Sequence, residues 1–376
     1  MSPGNSLNES IKISIIIPTV NRAKYLEKTL NSLIHQNFSS DQFEIIIVDG
    51  GSTDTTKDIC TTLIRTKPNY SIRYIYEPEP GLLAGRHRGA LEAKGEILTF
   101  IDDDIEASQN WLYSIYEAFG APIIHLVGGK NLPEYEVEPP SWLTYLWNTT
   151  IYGGNECGDL SLLDLGNKTL KIHPNYIWGL NFSIRKKTLF EVGGFHPDSY
   201  PKTLQRFQGD GESGLTTKLF ERGYGALYHP DVKIFHIIPP HRMTTEYFEK
   251  RWYFQGVANS YSGIRKINNP ISEDPKISQD PKFSTIFIPD LRRKISAKII
   301  NKLLSKICFY LKTPKEVREL KKKMQKSYNE GYKFHQNQVK NDPELLKWVL
   351  KENYWDYHLP IDKKEFESTT KFEKSY

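Results

Sequence analysis

The sequence predicts an α/β protein: a mostly parallel central sheet flanked by helices, followed by a helical C-terminal extension. Strand-like and helix-like stretches alternate four times before residue 105, which is the signature of a doubly covered sheet. The strand-like stretches are continuous apolar runs, as burial on both faces requires. Each run also ends in a cluster of Asp, Gly, Pro or Asn, so the polar chemistry collects at one edge of the expected sheet.

The first strand is "KISIIIPTV", followed by "NRAKYLEKTLNSLIHQ", where Leu26, Leu30, Leu33 and Ile34 recur at helical spacing. "FEIIIVDGGSTD" is a second strand running into a Gly50–Gly51 turn, with Ser52 or Thr53 as the N-cap of a helix over "TTKDICTTLIR". "SIRYIYEPEPG" gives a third strand and a Pro/Gly loop, "LLAGRHRGALEAKG" a helix stopped by Gly95, and "EILTFIDDD" a fourth strand. Further on, "YIWGLNFSIRKKTLFEVGGF" reads as a strand and a helix closing at Gly193–Gly194, and another helix is expected to begin near Gly214.

A chain of 376 residues implies one large domain with an appendage, or two domains. The expected division is a disordered N-terminus over 1–10, a main domain over 11–265 with halves 11–105 and 106–265, and a linker plus helical region over 266–376. The formal charge of +5 is too mild to imply nucleic acid, and none is expected as a partner. Cys60, Cys157 and Cys308 form no CxxC pair, which argues against a disulfide framework or zinc knuckle and for a reducing, cytoplasmic setting. The first ten residues are polar and no apolar run approaches the ~20 residues that span a bilayer, so neither a signal peptide nor a transmembrane helix is expected.

In parallel sheets ligands bind beyond the carboxyl ends of the strands. Pro18 to Arg22, Asp49 to Asp54, Glu77 to Gly81 and Asp102 to Asp104 all fall there, while no GxGxxG or GxxxxGK[ST] follows any strand. Three adjacent aspartates repel one another, so they face solvent or share something positive. A hard cation such as Mg²⁺ or Mn²⁺ takes one or two carboxylates and bridges to phosphate. If the stretch is extended, Asp102 and Asp104 face a ligand together and Asp103 points away. Arg86 and Arg88 sit near the start of a helix, where cations oppose the dipole unless an anion is near; an anion contact and a surface pair are both open.

"SIIIPTVNR", "IIIVDGGSTD", "GLLAGRHRGALEAKGEILTFIDDD", "NFSIRKKTLFEVGGF" and "GDGESGLTTKLFERGY", in this order, resemble the family 2 glycosyltransferases of GT-A fold, over roughly residues 11 to 260. The resemblance implies inverting transfer of a sugar from a nucleotide-diphosphate donor, UDP favoured, to a hydroxyl of a glycan or lipid-linked acceptor in cell-surface polysaccharide or glycoconjugate synthesis. It implies donor contacts from Pro18, Thr19, Asn21, Arg22, Gly51, Arg86, Asp102 and Asp103, with Asp49 at the base and Asp102 at the ribose or a metal water. It places a divalent cation on Asp104, with Asp102 and His236 beside it, and His241 and Arg242 over the diphosphate. Trp178, Gly179 and Asn181 would wall the acceptor side, although an aromatic there is as often core. Counting back from Gly223–Tyr224 sets Glu212 at the catalytic carboxylate. The chain departs from the family pattern by carrying "GDGE", so Glu212 and Asp210 both remain candidates for the base, with Glu212 favoured.

Two other classes fit parts of the pattern. A nucleotidylyltransferase would carry a glycine- and lysine-rich triphosphate loop near its N-terminus, which "IIIPTVNRAKYL" lacks; a silent glycan-binding scaffold would lose the metal and base carboxylates, which are present. Beyond residue 265, "INNPISEDPKISQDPKF" reads as a linker and "LRRKISAKIINKLLSKICFYLK" as a basic amphipathic helix. That helix either packs on the domain or gives peripheral contact with the cytoplasmic face of a membrane. "DPELLKWVLKENYWDYHLP" is a further, packed helix, and "KKEFESTTKFEKSY" a frayed tail.

Overall fold

The computed structural model describes residues 10–268 and 313–361. The expected linker, the basic amphipathic stretch and the tail lie outside the described residues.

The first half is the expected alternation: β1 (Ile13–Thr19), α1 (Ala23–Leu33), β2 (Phe43–Asp49), α2 (Thr56–Thr66), β3 (Ser71–Tyr76), α3 (Leu82–Glu92) and β4 (Ile97–Ile101). These strands pair in parallel in the order β3-β2-β1-β4. Alternate side chains of β1 feed two cores. Ile13, Ile15 and Ile17 pack with Leu26, Leu30 and Leu33 of α1, while Ile16 packs with Leu83, Ala84 and Ala90 of α3. Both faces are covered, which is why the strand reads as an unbroken apolar run.

The sheet continues through β5 (Ile105–Ala107), α4 (Trp111–Ala118) and β6 (Ile124–Tyr135), then β7 (Asn148–Thr149), β8 (Asn155–Cys157), β9 (Leu162–Asp164) and β10 (Leu170–Ile172). β11 (Asn181–Arg185) inserts antiparallel between β4 and β6, and β12 (Gly225–Ile238) runs parallel to β6. Between β11 and β12 lie α5 (Lys186–Glu191) and α6 (Glu212–Glu221); α6 begins at Glu212, two residues ahead of the expected Gly214.

α7 (Thr245–Asn268), α8 (Lys315–Asn341) and α9 (Pro343–Leu350) complete the described chain. This helical region is no detached appendage. Leu345, Trp348, Val349, Tyr354, Tyr357 and Leu359 share one core with Phe195, Phe207 and Leu215, and Val317, Leu320 and Met324 pack on Phe248. No helix among the described residues is long and apolar enough to cross a membrane.

Candidate active site

Because β1 lies between β2 and β4, chain direction across the sheet reverses there, and the loops after these strands open a crevice at their carboxyl ends. The crevice is a cleft of about 290 Å³ bounded by Pro18, Thr19, Arg22, Glu77, Glu79 and Asp102 to Asp104, with Ser199 and Arg242 closing it. All four polar loops read from the sequence reach this edge, though not every residue in them faces the cleft.

The aspartate triplet is a turn between β4 and β5, not an extended run. The alternation expected for Asp102 to Asp104 therefore fails, and all three line the cleft. Asp103 accepts from Thr19 Oγ1 at 2.6 Å and from Arg22 Nε at 3.2 Å. Asp104 pairs with the Arg22 guanidinium and, at 2.9 Å, with Arg242. Burial and the neighbouring Asp104 charge push Asp102 up and Asp103 to about 7. Burial opposes ionisation of Asp104 as well, but His236, Arg242 and Arg22 hold it well below the usual carboxylate range. The triplet thus concentrates its stable negative charge on Asp104.

His236 on β12 stands beside it. Its Nδ1 donates to the Leu160 carbonyl at 2.9 Å, which leaves the Nε2 lone pair facing Arg242 at 2.7 Å and Asp104 Oδ1 at 3.6 Å. Asp104 Oδ1 is buried with no hydrogen-bond partner. An orphaned carboxylate oxygen beside an imidazole nitrogen fits a divalent cation, with the imidazole oriented by a backbone carbonyl. No group of three or more His, Cys, Asp or Glu among the described residues forms a metal cage. An incomplete ligand set suits a cation shared with phosphate oxygens.

The loops after β1 and β2 clasp each other. Asn21, at φ +53°, accepts the Thr53 N–H on Oδ1 at 2.7 Å and donates its own N–H to Ser52 Oγ. Asp49 accepts on Oδ1 from the N–H groups of Gly51 and Ser52 and from Ser52 Oγ, and on Oδ2 from Tyr74 at 2.5 Å. Both Asp49 oxygens thus have partners within the chain, Oδ1 in its own loop and Oδ2 on β3, and the residue expected at the base is 1% exposed. Gly51, at φ +98°, serves the same clasp.

Arg86 is also not a surface residue. It is 3% exposed, lies over the Phe195 ring and pairs with Glu212 at 3.4 Å. Gly179 lets it in: a Cβ there would sit 2.0 Å from an Arg86 terminal nitrogen, and the Gly179 N–H reaches Glu212 Oε1 at 3.5 Å. Glu212, the first residue of α6, is therefore fixed by long contacts while remaining a quarter exposed.

Asp210 is enclosed instead. It accepts from His196 Nδ1 at 2.7 Å and from Ser262 of α7 at 2.6 Å, with 8% of its side chain exposed. Asn181 is likewise a core residue rather than an acceptor wall, bonded by Trp111, Asn131 and the Val232 carbonyl. Trp178 is half-buried between the two main cores and donates to the Asn175 carbonyl. Arg242 reaches the cleft, while His241 stays exposed outside its lining.

Sequence reasoning missed the contributions of residues 196–200 and 351–361. Ser199 lines the cleft at φ +55°, and Asp198, raised by burial and by the Glu212 charge, accepts from Gln208. Tyr357 hydrogen-bonds Glu77. The irregular "GGFHPDSY" after α5 was the available signal for the first.

A mostly parallel sheet reversing direction at β1, with an acidic turn after β4 at its carboxyl edge, is the frame of a GT-A fold. A mannosyltransferase of Pyrobaculum calidifontis, solved with GDP-mannose and Mn²⁺, shares this fold at a TM-score of 0.50 and 18% identity, over 95% of this chain and 92% of that one. The model of glycosyl transferase family 2 matches residues 14–188 of the chain. Among curated relatives, validoxylamine A glucosyltransferase of Streptomyces hygroscopicus subsp. jinggangensis is 25% identical over 202 residues, 50% of this chain and 47% of that protein. Glycosyltransferase AglE of Haloferax volcanii is 33% identical over 118 residues, 31% of this chain and 38% of its own length. The chain thus spans half or less of the length of these curated relatives.

Proposed function

We propose that this protein is an inverting glycosyltransferase that moves a sugar from a nucleoside-diphosphate donor to a hydroxyl of a glycan or lipid-linked acceptor. The observation that carries the reading is a pair of unlike carboxylate environments linked through Arg86, whose charge acts on Asp102 of the cleft and which pairs with Glu212. Asp104 is held ionised among His236, Arg242 and Arg22, and Glu212 stands partly exposed against Arg86. The relatives include glycosyltransferases named for undecaprenol-linked and poly(ribitol-phosphate) substrates, which supports an acceptor of that general kind.

A divalent cation held by Asp104 and His236, with Asp102 beside it, would neutralise charge on the departing diphosphate. Arg22 and Arg242, which line the cleft and pair with Asp104, would supply positive charge to the diphosphate. Glu212 takes the proton from the acceptor hydroxyl as the bond to the anomeric carbon forms, and attack opposite the leaving group inverts that centre. Arg86 orients the Glu212 carboxylate, and Asp210, locked by His196 and Ser262, anchors the turn that carries it.

The test is a panel of UDP-, GDP- and dTDP-sugars with glycan acceptors, scored for release of nucleoside diphosphate. Release that needs Mn²⁺ or Mg²⁺, with inverted product, supports the reading. Release of pyrophosphate would assign a nucleotidylyltransferase instead, and donor-independent glycan binding a scaffold.

A further inference from the structure

The segment after α9 returns across the molecule to the rim of the cleft. It is firmly seated: the Tyr354 N–H donates to the Gly193 carbonyl at 3.3 Å, and the Tyr354 carbonyl accepts from His87 Nδ1 at 2.8 Å. Trp355 stacks on His87 at 4.4 Å and on Phe190 at 4.1 Å. From that footing Tyr357 donates its phenol proton to Glu77 Oε2 at 2.9 Å, a contact between residues 280 positions apart.

Glu77 is 4% exposed and lines the cleft. Its other oxygen accepts the Glu79 N–H at 3.1 Å, and its own N–H goes to the Asp49 carbonyl at 2.9 Å. The carboxylate therefore curls the loop whose next residues, Glu79, Pro80, Gly81 and Leu82, also line the cleft. Without the phenol, Oε2 keeps only Arg88 at 3.7 Å, and a buried carboxylate short of donors swings toward water. The turn at Glu79 would go with it.

We propose that Tyr357 is a positioning residue for donor binding, acting through Glu77 on the loop 77–81. The proposal rests on the reading that this cleft takes a nucleoside-diphosphate donor. The expected effect is on binding rather than on transfer, because the side-chain contacts of Arg86 and Glu212 run to each other, to the Phe195 ring and to the Gly179 N–H.

The experiment is a double-mutant cycle on the full chain, with Tyr357→Phe, Glu77→Gln and the pair, measuring Kd for UDP, GDP and dTDP with Mn²⁺ by calorimetry. Thermal midpoint, KM and kcat are measured alongside. Each single change should weaken the preferred nucleotide by roughly tenfold, the worth of one hydrogen bond to a charged group. The pair should lose no more than either alone, and donor KM should rise at constant kcat. A Tyr357→Phe affinity within about twofold of wild type, or losses that simply add, overturns the proposal. So does a fall in kcat that tracks a fall in thermal midpoint, which a merely structural contact would give. If Tyr357→Phe does not fold, Glu77→Gln carries the same KM-against-kcat comparison. If the wild-type chain binds none of the three nucleotides, the donor reading fails and takes this proposal with it; normal wild-type binding with unchanged variants overturns this proposal alone.

Discussion

Replacing Glu212 with Gln isolates proton acceptance from shape. The contacts to Arg86 at 3.4 Å and to the Gly179 N–H at 3.5 Å are long, so an amide of the same size loses little ground-state interaction. What it loses is the capacity to take a proton, worth about 10²- to 10⁴-fold in rate. At 1.36 kcal/mol per factor of ten, that is about 3–5 kcal/mol on the barrier. Asp210→Asn has a different signature. Its carboxylate is enclosed by His196 and Ser262, so the amide disturbs two buried hydrogen bonds, costing about 2–3 kcal/mol of stability. The thermal midpoint should fall by about 5–10 °C while turnover below the transition survives. The assay is nucleoside diphosphate release under saturating donor and acceptor, with thermal midpoints measured on the same preparations. If Asp210→Asn is inactive at an unchanged midpoint and Glu212→Gln keeps more than about a tenth of the rate, the base role passes to Asp210 and the reasoning fails.

Gly179→Ala should lower kcat by roughly ten- to a hundredfold, because the new methyl would meet Arg86 at 2.0 Å and drive it from Glu212; an unchanged kcat contradicts the contact. Asp49→Asn should lower the thermal midpoint yet leave the ratio of UDP to GDP affinity unchanged, since the side chain braces its own loop; a changed ratio would return Asp49 to the base. His335 is buried beside Ser260, and burial pushes it down to about 4. Between pH 6.5 and 4 the unfolded chain takes up this proton and the folded chain does not, so stability falls as pH falls through that window. Relative to His335→Asn, the wild type should lose about 1.4 kcal/mol per pH unit there, measured by urea unfolding at pH 7 and 5; a parallel pH dependence refutes it.

The strands β1 to β4 were legible because burial on both faces writes itself as unbroken apolar runs, and the loops because their polar clusters all fall at the carboxyl ends of parallel strands. Side-chain direction was not. Asp103 turned into the cleft because β4 ends at Ile101, one residue before the triplet, and the turn that follows has no two-residue alternation. Asp49, Asn181 and Asp210 looked functional by residue type and position, but their partners Tyr74, Trp111 and Ser262 lie 25, 70 and 52 residues away. Such satisfaction is a tertiary fact. Arg86, a donor-contact candidate, could not be told from a surface residue in the sequence because nothing local announces that Gly179 clears a slot for it. The role of Tyr357 was hidden for the same reason, at the far end of the described chain.

Mn²⁺ binding read by electron paramagnetic resonance, with nucleoside diphosphate present, tests the role of Asp104. One bound Mn²⁺ per chain is expected in the wild type, lost in Asp104→Asn, which lacks the charge, and weakened in His236→Gln, with circular dichroism of both variants unchanged. Undiminished Mn²⁺ binding by folded Asp104→Asn would contradict the account, because the orphaned oxygen facing His236 would then have another purpose.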